Sequence, residues 1–404
     1  MMESPLAHFG LPFFQSTCST RGVKFQIFHL MNKLKVLHVL SFVGGVEICL
    51  RQILKNIDEN KFSSVLLTQP LNEKPPIEVK SKKNLQHYYA PIYREINLFY
   101  DMVAVIKTIY IIIKEKPKLI HAHSSKAGVI ARAAALFFSI PVIYTPHAFS
   151  FLSTDKKNKK DFYILIEKIF KNKNVNILAT SESEKNRAIE IIGYDPNKVK
   201  VIKNSIPFPK VNIAKSIYIN HSNYICTVGR PSFQKNIKML IRVFSLLKND
   251  HKNLHLYIVG AGEYSPNVKE VKKLINSLGL DNRVTIIPWI DREEVAMIIK
   301  NCKLYVSTSR YEGLPYAVLE SLSLKKACVL TDCDGNRELV IDNKSGYLIR
   351  GNNVRVMSKK ISDLLLDEEK CLKFGDEAFK FFKDNYSFDE YIQNLQSYYL
   401  KLSK

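Results

Sequence analysis

The chain has 404 residues, 46% of them hydrophobic, and carries a formal net charge of +22. This length is too great for one compact core and suits two domains of about 200 residues each. Its seven cysteines are an odd, scattered set without a C-x-x-C pair. They indicate neither a disulfide framework nor a zinc site, and they fit a reduced, cytoplasmic compartment.

The first 30 residues differ from the rest of the chain. They have neither the basic start nor the sustained apolar core of a secretory signal. Met31 then begins a polar segment that runs directly into an apolar strand and a glycine loop, MNKLKVLHVLSFVGG. We therefore expect residues 1–30 to be a non-core extension, either genuine or an artefact of the assigned start.

Apolar runs alternate with helical patterns through the first half. The strand-like runs are KVLHVLS, SSVLLT, KLIHAH, PVIYTP, NILATS and KVKVIKN. This alternation predicts an α/β fold with a parallel, doubly wound sheet, which we assign to a Rossmann-like domain at residues 31–205. The most apolar stretch, at residues 96–116, contains Asp101 and Lys107 and falls short of the about 20 apolar residues of a membrane span. We expect an amphipathic helix packed on the sheet.

The strand pattern restarts after a linker at residues 206–222. The runs YICTVG, LHLYIVG, RVTIIPW, KLYVSTS, ACVLTD and GYLI predict a second Rossmann-like domain at residues 223–384. The last stretch, at residues 385–404, has the pattern of an amphipathic helix. Ligands of open parallel sheets bind beyond the carboxyl ends of the strands, which is where Gly44, Gly45, Arg230 and Glu312 fall. The predicted site is a cleft between two domains.

Two carboxylates stand at a loop-to-helix junction in SRYEGLPYAVLESL. Glu312 precedes the predicted helix and Glu320 lies along it, while Gly313 frees the backbone and Pro315 suits the first helical turn. The free N–H groups of a helix N-terminus can hold a phosphate, and carboxylates accept hydrogen bonds from hydroxyls. Phosphate flanked by polyols describes a nucleotide sugar. Two solvated surface acids are the alternative.

A basic pair precedes these acids in the chain. Arg230 and Lys235 follow the apolar run YICTVG in a strand-loop-helix setting. The planar fork of Arg and the mobile charge of Lys can together neutralise a diphosphate without a metal.

Histidines also follow the strands of the first half. His121 and His123 share one face of a strand, but no third ligand stands nearby in sequence, so we expect no metal site. Pro146 ends a strand and leaves His147 at the carboxyl edge of the sheet, where it either faces the cleft or is a core histidine.

Two loops of the second half contain the remaining candidate site residues. The segment IVGAGEYS imitates a dinucleotide-binding fingerprint through Gly260 and Gly262, but Ser265 replaces the third glycine. Trp289 begins a loop at a strand end, where it either flanks a nucleotide base or packs in the core.

Taken in order, these motifs resemble the family 4 retaining glycosyltransferases, which have the two-domain GT-B fold. The resemblance covers about residues 33–404 and rests on SFVGGVE, HAHSSKAGVIARAAA, YTPHAFSF, VIKNSIP, the Arg230 loop and the Glu312 segment followed by DCDGNRELV. It implies that the C-terminal helix crosses back to the first, acceptor-side domain. The chain departs from the family at Ser205, where Gly is usual, and at Lys325 and Lys326, where Ala-x-Gly is common.

The resemblance also implies roles for individual residues. Arg230 and Lys235 would bind the donor diphosphate, Glu320 the ribose and Glu312 the transferred sugar, and no cofactor or metal is implied. His147 would line the catalytic cleft together with Glu312, Arg230 and Lys235. The other donor-binding residues would be Gly44, Gly45, Gly262, Glu263, Trp289, Gly313, Leu314 and Pro315.

The implied reaction moves a hexose or N-acetylhexosamine from a nucleotide-diphosphate sugar to a saccharide acceptor. A UDP-sugar is favoured and a GDP-sugar is the second choice. The likeness of HAHSSKAGVIARAAA and YTPHAFSF to bacterial surface-polysaccharide transferases implies a lipid-linked acceptor in capsule, exopolysaccharide or lipopolysaccharide synthesis. A sugar-nucleotide epimerase of the same architecture is the alternative, and it would turn over without an acceptor.

The excess of basic residues has several explanations. It reflects nucleotide bias in the coding genome, or it attracts anionic lipid or nucleic acid. Nucleic acid is disfavoured because the basic residues are not interleaved with an aromatic platform. We expect a lysine run after YTPHAFSF to contact an anionic membrane or a lipid diphosphate on the inner face of the plasma membrane, with a solvated loop as the alternative. The run consists of Lys156, Lys157, Lys159 and Lys160.

Overall fold

The computed structural model describes residues 33–41, 44–70, 77, 79–81, 85–211, 217–262 and 265–403. The first half contains a seven-stranded parallel sheet with the order β3-β2-β1-β4-β5-β6-β7. Its strands are β1 (Leu34–Leu40), β2 (Phe62–Thr68), β3 (Gln86–Tyr89), β4 (Leu119–His123), β5 (Val142–Thr145), β6 (Val175–Ala179) and β7 (Val199–Val201). Its helices are α1 (Gly45–Asn56), α2 (Leu98–Glu115), α3 (Ser125–Ala135), α4 (Lys157–Ile169) and α5 (Glu182–Arg187).

Alternate strand residues pack against two layers of helices. Leu37 and Val39 of β1 belong to the core under α2, α3 and α4, whereas Val36 belongs to the core under α1. Because both faces of the sheet are covered, its central strands are predominantly apolar, with exceptions that include the buried His38, His121 and His123.

The second half repeats this arrangement around a six-stranded parallel sheet, with the order β10-β9-β8-β11-β12-β13. Its strands are β8 (Tyr224–Val228), β9 (His255–Ala261), β10 (Val284–Pro288), β11 (Tyr305–Ser307), β12 (Cys328–Thr331) and β13 (Gly346–Ile349). Its helices are α6 (Ile237–Leu247), α7 (Val268–Ser277), α8 (Arg292–Asn301), α9 (Tyr316–Ser323), α10 (Asp334–Arg337), α11 (Val354–Leu366) and α12 (Glu368–Asn385).

The last helix, α13 (Phe388–Leu402), returns to the first half. The Tyr399 hydroxyl lies 2.6 Å from Nδ1 of His121 on β4, and the Tyr391 hydroxyl lies 3.5 Å from the Cys49 sulfur on α1. The predicted fold of two doubly wound sheets with a C-terminal helix that crosses back is therefore confirmed.

Some expectations change in detail and others remain open. Pro315 is the N-cap of α9 and not part of its first turn. The division into domains at residues 205 and 222 stays a prediction, and the expected extension at residues 1–30 lies outside the described residues. Lys325 has a φ of 59°, in the left-handed region that glycine adopts without strain, whereas Ser205 has no such φ. In the described part of the chain, no helix is both long and apolar enough to span a membrane.

Candidate functional site

The two halves touch where their strands end. A Cβ placed on Gly313, in the loop before α9, would lie 3.1 Å from the Ala148 nitrogen and 3.1 Å from Oγ1 of Thr180. Ala148 follows β5 and Thr180 follows β6. The Glu312 segment thus lies against the loops at the carboxyl edge of the first sheet, and a side chain at position 313 would require these loops to shift by a few tenths of an ångström.

Glu312 and Lys235, predicted from separate motifs, form an ion pair. The Lys235 Nζ donates to the Glu312 carboxylate at 2.6 Å, and the same carboxylate accepts from Ser309 Oγ at 2.6 Å and from Gln234 Nε2 at 3.1 Å. The Glu312 side chain is 7% exposed. Gly229 lies directly under the Lys235 chain, because its Cβ would be 2.9 Å from the Lys235 Cε. The basic and acidic motifs therefore share one site.

Arg230 is half-buried in the loop after β8, which also carries Lys235. Burial, together with the charge of Arg94, lowers the pKa of its guanidinium to about 10. Arg94 belongs to the loop before α2, in the first half of the chain. The charges of Arg94 and Glu95, both from the first half, therefore act on Arg230 in the second half. Arg94 belongs to none of the sequence motifs, so its position near Arg230 was not predicted.

Glu320 is buried on α9 and paired with Arg292, at the start of α8. Burial lowers the pKa of Arg292 to about 10. The second carboxylate oxygen of Glu320, Oε2, is buried and has no hydrogen-bond partner among the described residues. It can therefore accept a hydrogen bond from a ligand hydroxyl. The Arg292 partnership was missed because Arg292 lies 28 positions away in the chain.

His147 lies in a strained turn. It has a φ of 52° and Ala148 has a φ of 80°, both unfavourable for residues with a side chain. The buried Glu184 holds this turn by accepting hydrogen bonds from the Ala148 nitrogen at 2.7 Å and the Thr180 nitrogen at 2.7 Å. Burial lowers the pKa of His147 to about 4, and its Nε2 is buried without a hydrogen-bond partner in the described structure. A neutral imidazole is thus available at the cleft.

The imidazole of His147 belongs to a cluster of four histidines with His38, His121 and His123. The sequence argument against a third ligand for His121 and His123 fails, because β1 brings His38, and ligand atoms of these three residues lie within 4.8 Å of one another. The His38 Nδ1 lies 3.2 Å from the His123 Nε2, and His147 stacks on His123 at 6.1 Å between ring centroids. His121 places its two nitrogens near Tyr399 and Thr145 at 2.6 and 2.9 Å. The expectation of no metal site stays a prediction.

The glycine loop of the first half faces α9. Gly44 has a φ of 51° and caps α1, and a Cβ on Gly45 would lie 3.4 Å from the Tyr316 ring. Tyr316 is the first residue of α9, so the N-termini of two helices converge. Their free N–H groups and dipoles favour an anion there.

Two of the remaining predicted residues, Gly262 and Trp289, follow strands farther along the second sheet. Gly262 follows β9, and its nitrogen donates to Ser265 Oγ at 3.0 Å. Trp289 follows β10 and is 57% exposed. Leu314 is buried, and its carbonyl accepts from Asn204 Nδ2 at 3.2 Å. Glu263 lies outside the described residues. The catalytic and donor-binding roles of all the predicted site residues stay predictions.

We expect Gly335→Ala to destabilise the fold by about 1–3 kcal/mol, the usual cost of overpacking. Its Cβ would lie 2.4 Å from the Gly313 carbonyl oxygen and 3.0 Å from the Pro315 Cδ, so the loop before α9 must move. Urea unfolding measures the effect. Gly262→Ala is the control, because its Cβ would meet no described atom within 4 Å. Equal stability of the two variants would contradict this packing.

Both halves match models of known protein families. The family described as Glycosyl transferases group 1 matches residues 210–381, and Glycosyltransferase Family 4 matches residues 43–208. The chain is 27% identical over 338 residues to the Escherichia coli UDP-Gal:alpha-D-GlcNAc-diphosphoundecaprenol alpha-1,3-galactosyltransferase, covering 80% of this chain and 86% of that protein. It is 26% identical over 386 residues to the capsular polysaccharide biosynthesis glycosyltransferase CapM of Staphylococcus aureus, covering 93% of this chain and 96% of that protein.

Solved structures share the fold. Sucrose-phosphate synthase from Thermosynechococcus elongatus superposes with a TM-score of 0.80 at 14% identity, covering 92% of this chain and 99% of that one. Anabaena HepE, in complex with UDP-glucose, gives a TM-score of 0.73 at 18% identity, covering 90% of this chain and 98% of that one.

Proposed function

We propose a specific reaction for this chain, which belongs to the family 4 glycosyltransferases with a group 1 second half. It transfers a hexosyl or N-acetylhexosaminyl group from a nucleoside-diphosphate sugar to a saccharide acceptor, with retention of configuration and without a metal. The observation that carries this proposal is the contact between Lys235 and Glu312 beside the N-terminus of α9. Cation, carboxylate and helix terminus together suit a diphosphate joined to a sugar.

Each part of the donor has a matching group. Arg230, Lys235 and the N-termini of α1 and α9 bind the diphosphate and stabilise the charge that develops as it leaves. The free oxygen of Glu320 accepts from the ribose, and Glu312 accepts from the transferred sugar. A UDP-sugar is the favoured donor, because the Escherichia coli relative is named for UDP-Gal and the HepE structure contains UDP-glucose. A GDP-sugar is the second choice.

Retention follows from attack on the face that the leaving group vacates. The bond between the anomeric carbon and the phosphate oxygen breaks, the acceptor oxygen bonds to that carbon, and the acceptor proton passes to the departing phosphate. Glu312 is a poor covalent nucleophile, because Lys235 and Ser309 already bind its carboxylate. The contact of Gly313 with the first half supports a cleft that closes and excludes water.

The acceptor is a saccharide, lipid-linked in our proposal, in the synthesis of a bacterial surface polysaccharide. Two relatives support this choice by name, since one acts on a diphosphoundecaprenol-linked sugar and the other serves capsule synthesis. Such an acceptor places the enzyme at the cytoplasmic face of the membrane. The comparisons give no support to the epimerase or to a nucleic-acid-binding protein.

The proposal is tested first by donor binding. We expect one nucleotide among UDP, GDP, ADP and their sugar conjugates to raise the melting temperature, with a stabilisation of about 2.7 kcal/mol at about 100 times Kd. Glu320→Ala should diminish the shift, whereas Glu369→Ala, on the exposed surface of α12, should retain it. The proposal is wrong if no nucleotide binds and no donor is consumed with a lipid-linked saccharide present. Consumption without an acceptor, yielding an epimerised donor, would support the epimerase instead.

A further inference from the structure

The outer surface of the α2, α3 and α4 layer is apolar. Fifteen of the 24 exposed large hydrophobic side chains in the described part of the chain lie between residues 89 and 169. On α2 they recur at intervals of three and four residues, which places them on one side of the helix. This α2 stripe consists of Phe99, Met102, Ile106, Tyr110 and Ile113, which are 56–71% exposed. The opposite side of α2 is buried in the core through Ala104, Ile111 and Ile112.

A second stripe lies on α4. Phe162, Leu165 and Ile169 are 47–63% exposed and again recur three and four residues apart. The helices α2 and α3 pack together, and the buried ion pair of Arg132 and Glu167 joins α3 to α4. All three helices cover the same side of the first sheet. The two stripes therefore point outward from one layer, which we name the apolar face. Exposed apolar side chains clustered in this way, here five on α2 and three on α4, mark an interaction site.

The charges around the apolar face are mostly basic. Residues 98–173 contain thirteen Lys and Arg against five Asp and Glu. Three of the five acids are already ion-paired, because Asp101 binds Lys126, Glu115 binds Lys35 and Glu167 binds Arg132. Seven exposed lysines border the α4 stripe, at positions 156, 157, 159, 160, 168, 171 and 173.

We propose that the apolar face binds an anionic lipid bilayer, with α2 and α4 in the plane of the interface and their lysines against the headgroups. Amphipathic helices with apolar and basic residues bind membranes in this way. Such binding requires lysine ammonium groups next to the apolar side chains. Lys114 meets this requirement, because its Nζ lies 5.7 Å from the centroid of the Tyr110 ring in the α2 stripe. A second copy of the chain is disfavoured, because a symmetric contact would bring the lysines of both copies together.

Membrane binding would bring the cleft to the lipid surface. The loop before α2 carries Arg94, whose charge acts on Arg230, and Lys126 Nζ donates to the Glu95 carbonyl at 2.9 Å. The N-terminus of α2 therefore lies at the rim of the cleft. This step rests on the proposed function, since it assumes an acceptor held in the same bilayer.

The test uses the full-length protein and co-sedimentation with vesicles of phosphatidylcholine, with or without phosphatidylglycerol. We expect binding to the anionic vesicles and its loss in Phe99→Ser/Ile106→Ser/Ile113→Ser. Leu366→Ser/Leu372→Ser is the matched control, because these side chains are 78% and 66% exposed in the second half, and it should bind like the wild type. Lys157→Ala/Lys160→Ala should weaken binding by about fivefold for each lysine. Circular dichroism checks that the variants are folded.

Three results would overturn the proposal. The wild type fails to bind anionic vesicles, the triple variant binds as well as the wild type, or the wild type forms a dimer that the triple variant abolishes. The last result would assign the apolar face to a second copy. The assay contains neither donor nor acceptor, so its failure leaves the proposed reaction intact, and failure of nucleotide binding leaves vesicle binding intact.

Discussion

Lys235→Ala should lower kcat by about 10²–10³-fold, the usual cost of removing one preorganised donor to a charge that develops in the transition state. Lys235 is the only cation within salt-bridge distance of Glu312 in the described part of the chain. The loss should exceed any change in the donor KM, because the charge on the diphosphate grows as the sugar departs. Initial rates of nucleotide release at varied donor concentration measure both quantities.

Two further variants separate catalysis from charge burial. Lys238 lies three residues after Lys235 and is paired with Glu270 at the protein surface. Lys238→Ala should therefore leave turnover unchanged. Lys235→Ala leaves Glu312 buried without its cation, so some stability is lost as well. Lys235→Ala/Glu312→Gln removes that unpaired charge and should recover stability without recovering turnover. Full activity in either Lys235 variant would show that another group stabilises the leaving diphosphate.

The sequence predicted those parts of the fold that depend on local pattern. Apolar runs marked twelve of the thirteen strands in the described part of the chain, because strands covered on both faces bury most of their side chains. The strand β3 at the sheet edge, with the sequence QHYY, was not predicted, because its side chains are exposed or only partly buried. The proximity of the Lys235 and Glu312 motifs also followed from their order, since both stand at the carboxyl ends of strands in one sheet, but the ion pair between the two side chains was not predicted. The rule that ligands bind at the carboxyl ends of parallel strands was therefore enough to place the two motifs near each other.

Partners set by packing between distant segments were not predictable. Arg292 pairs with Glu320 through the packing of α8 against α9, and His38 reaches His123 because β1 and β4 are neighbours in the sheet. Neither residue belongs to a motif. The segment at residues 96–116 was correctly predicted as a helix packed on the sheet, but its interruptions at Asp101 and Lys107 concealed how apolar its outer side is. Asp101 is paired with Lys126, and Lys107 lies beside the stripe on the helix.

The buried pair of Arg132 and Glu167 gives the largest effect on stability that we expect. Their side chains are 0% and 1% exposed, and Nη2 of Arg132 donates to the Glu167 carboxylate at 2.7 Å. The Tyr144 hydroxyl donates to the same carboxylate at 2.8 Å, and Nε of Arg132 donates to the Gly128 carbonyl at 2.9 Å. The attraction of Glu167 and the neighbouring tyrosines outweighs burial and raises the pKa of Arg132. Both charges are therefore fully compensated.

Glu167→Leu should lower the free energy of unfolding by about 3–5 kcal/mol, because it leaves the Arg132 guanidinium buried without its counter-charge. Arg132→Met should cost a similar amount for the converse reason. In Arg132→Met/Glu167→Leu no charge is left unpaired, so the double variant should be more stable than either single variant. Urea unfolding of all four proteins gives the coupling energy. The exposed pair of Lys185 and Glu182 is the control, and Lys185→Ala should cost less than about 1 kcal/mol. Additive losses at Arg132 and Glu167 would mean that the two charges are stabilised separately, by the tyrosines and backbone carbonyls around them, and that α3 and α4 are held together by apolar packing alone.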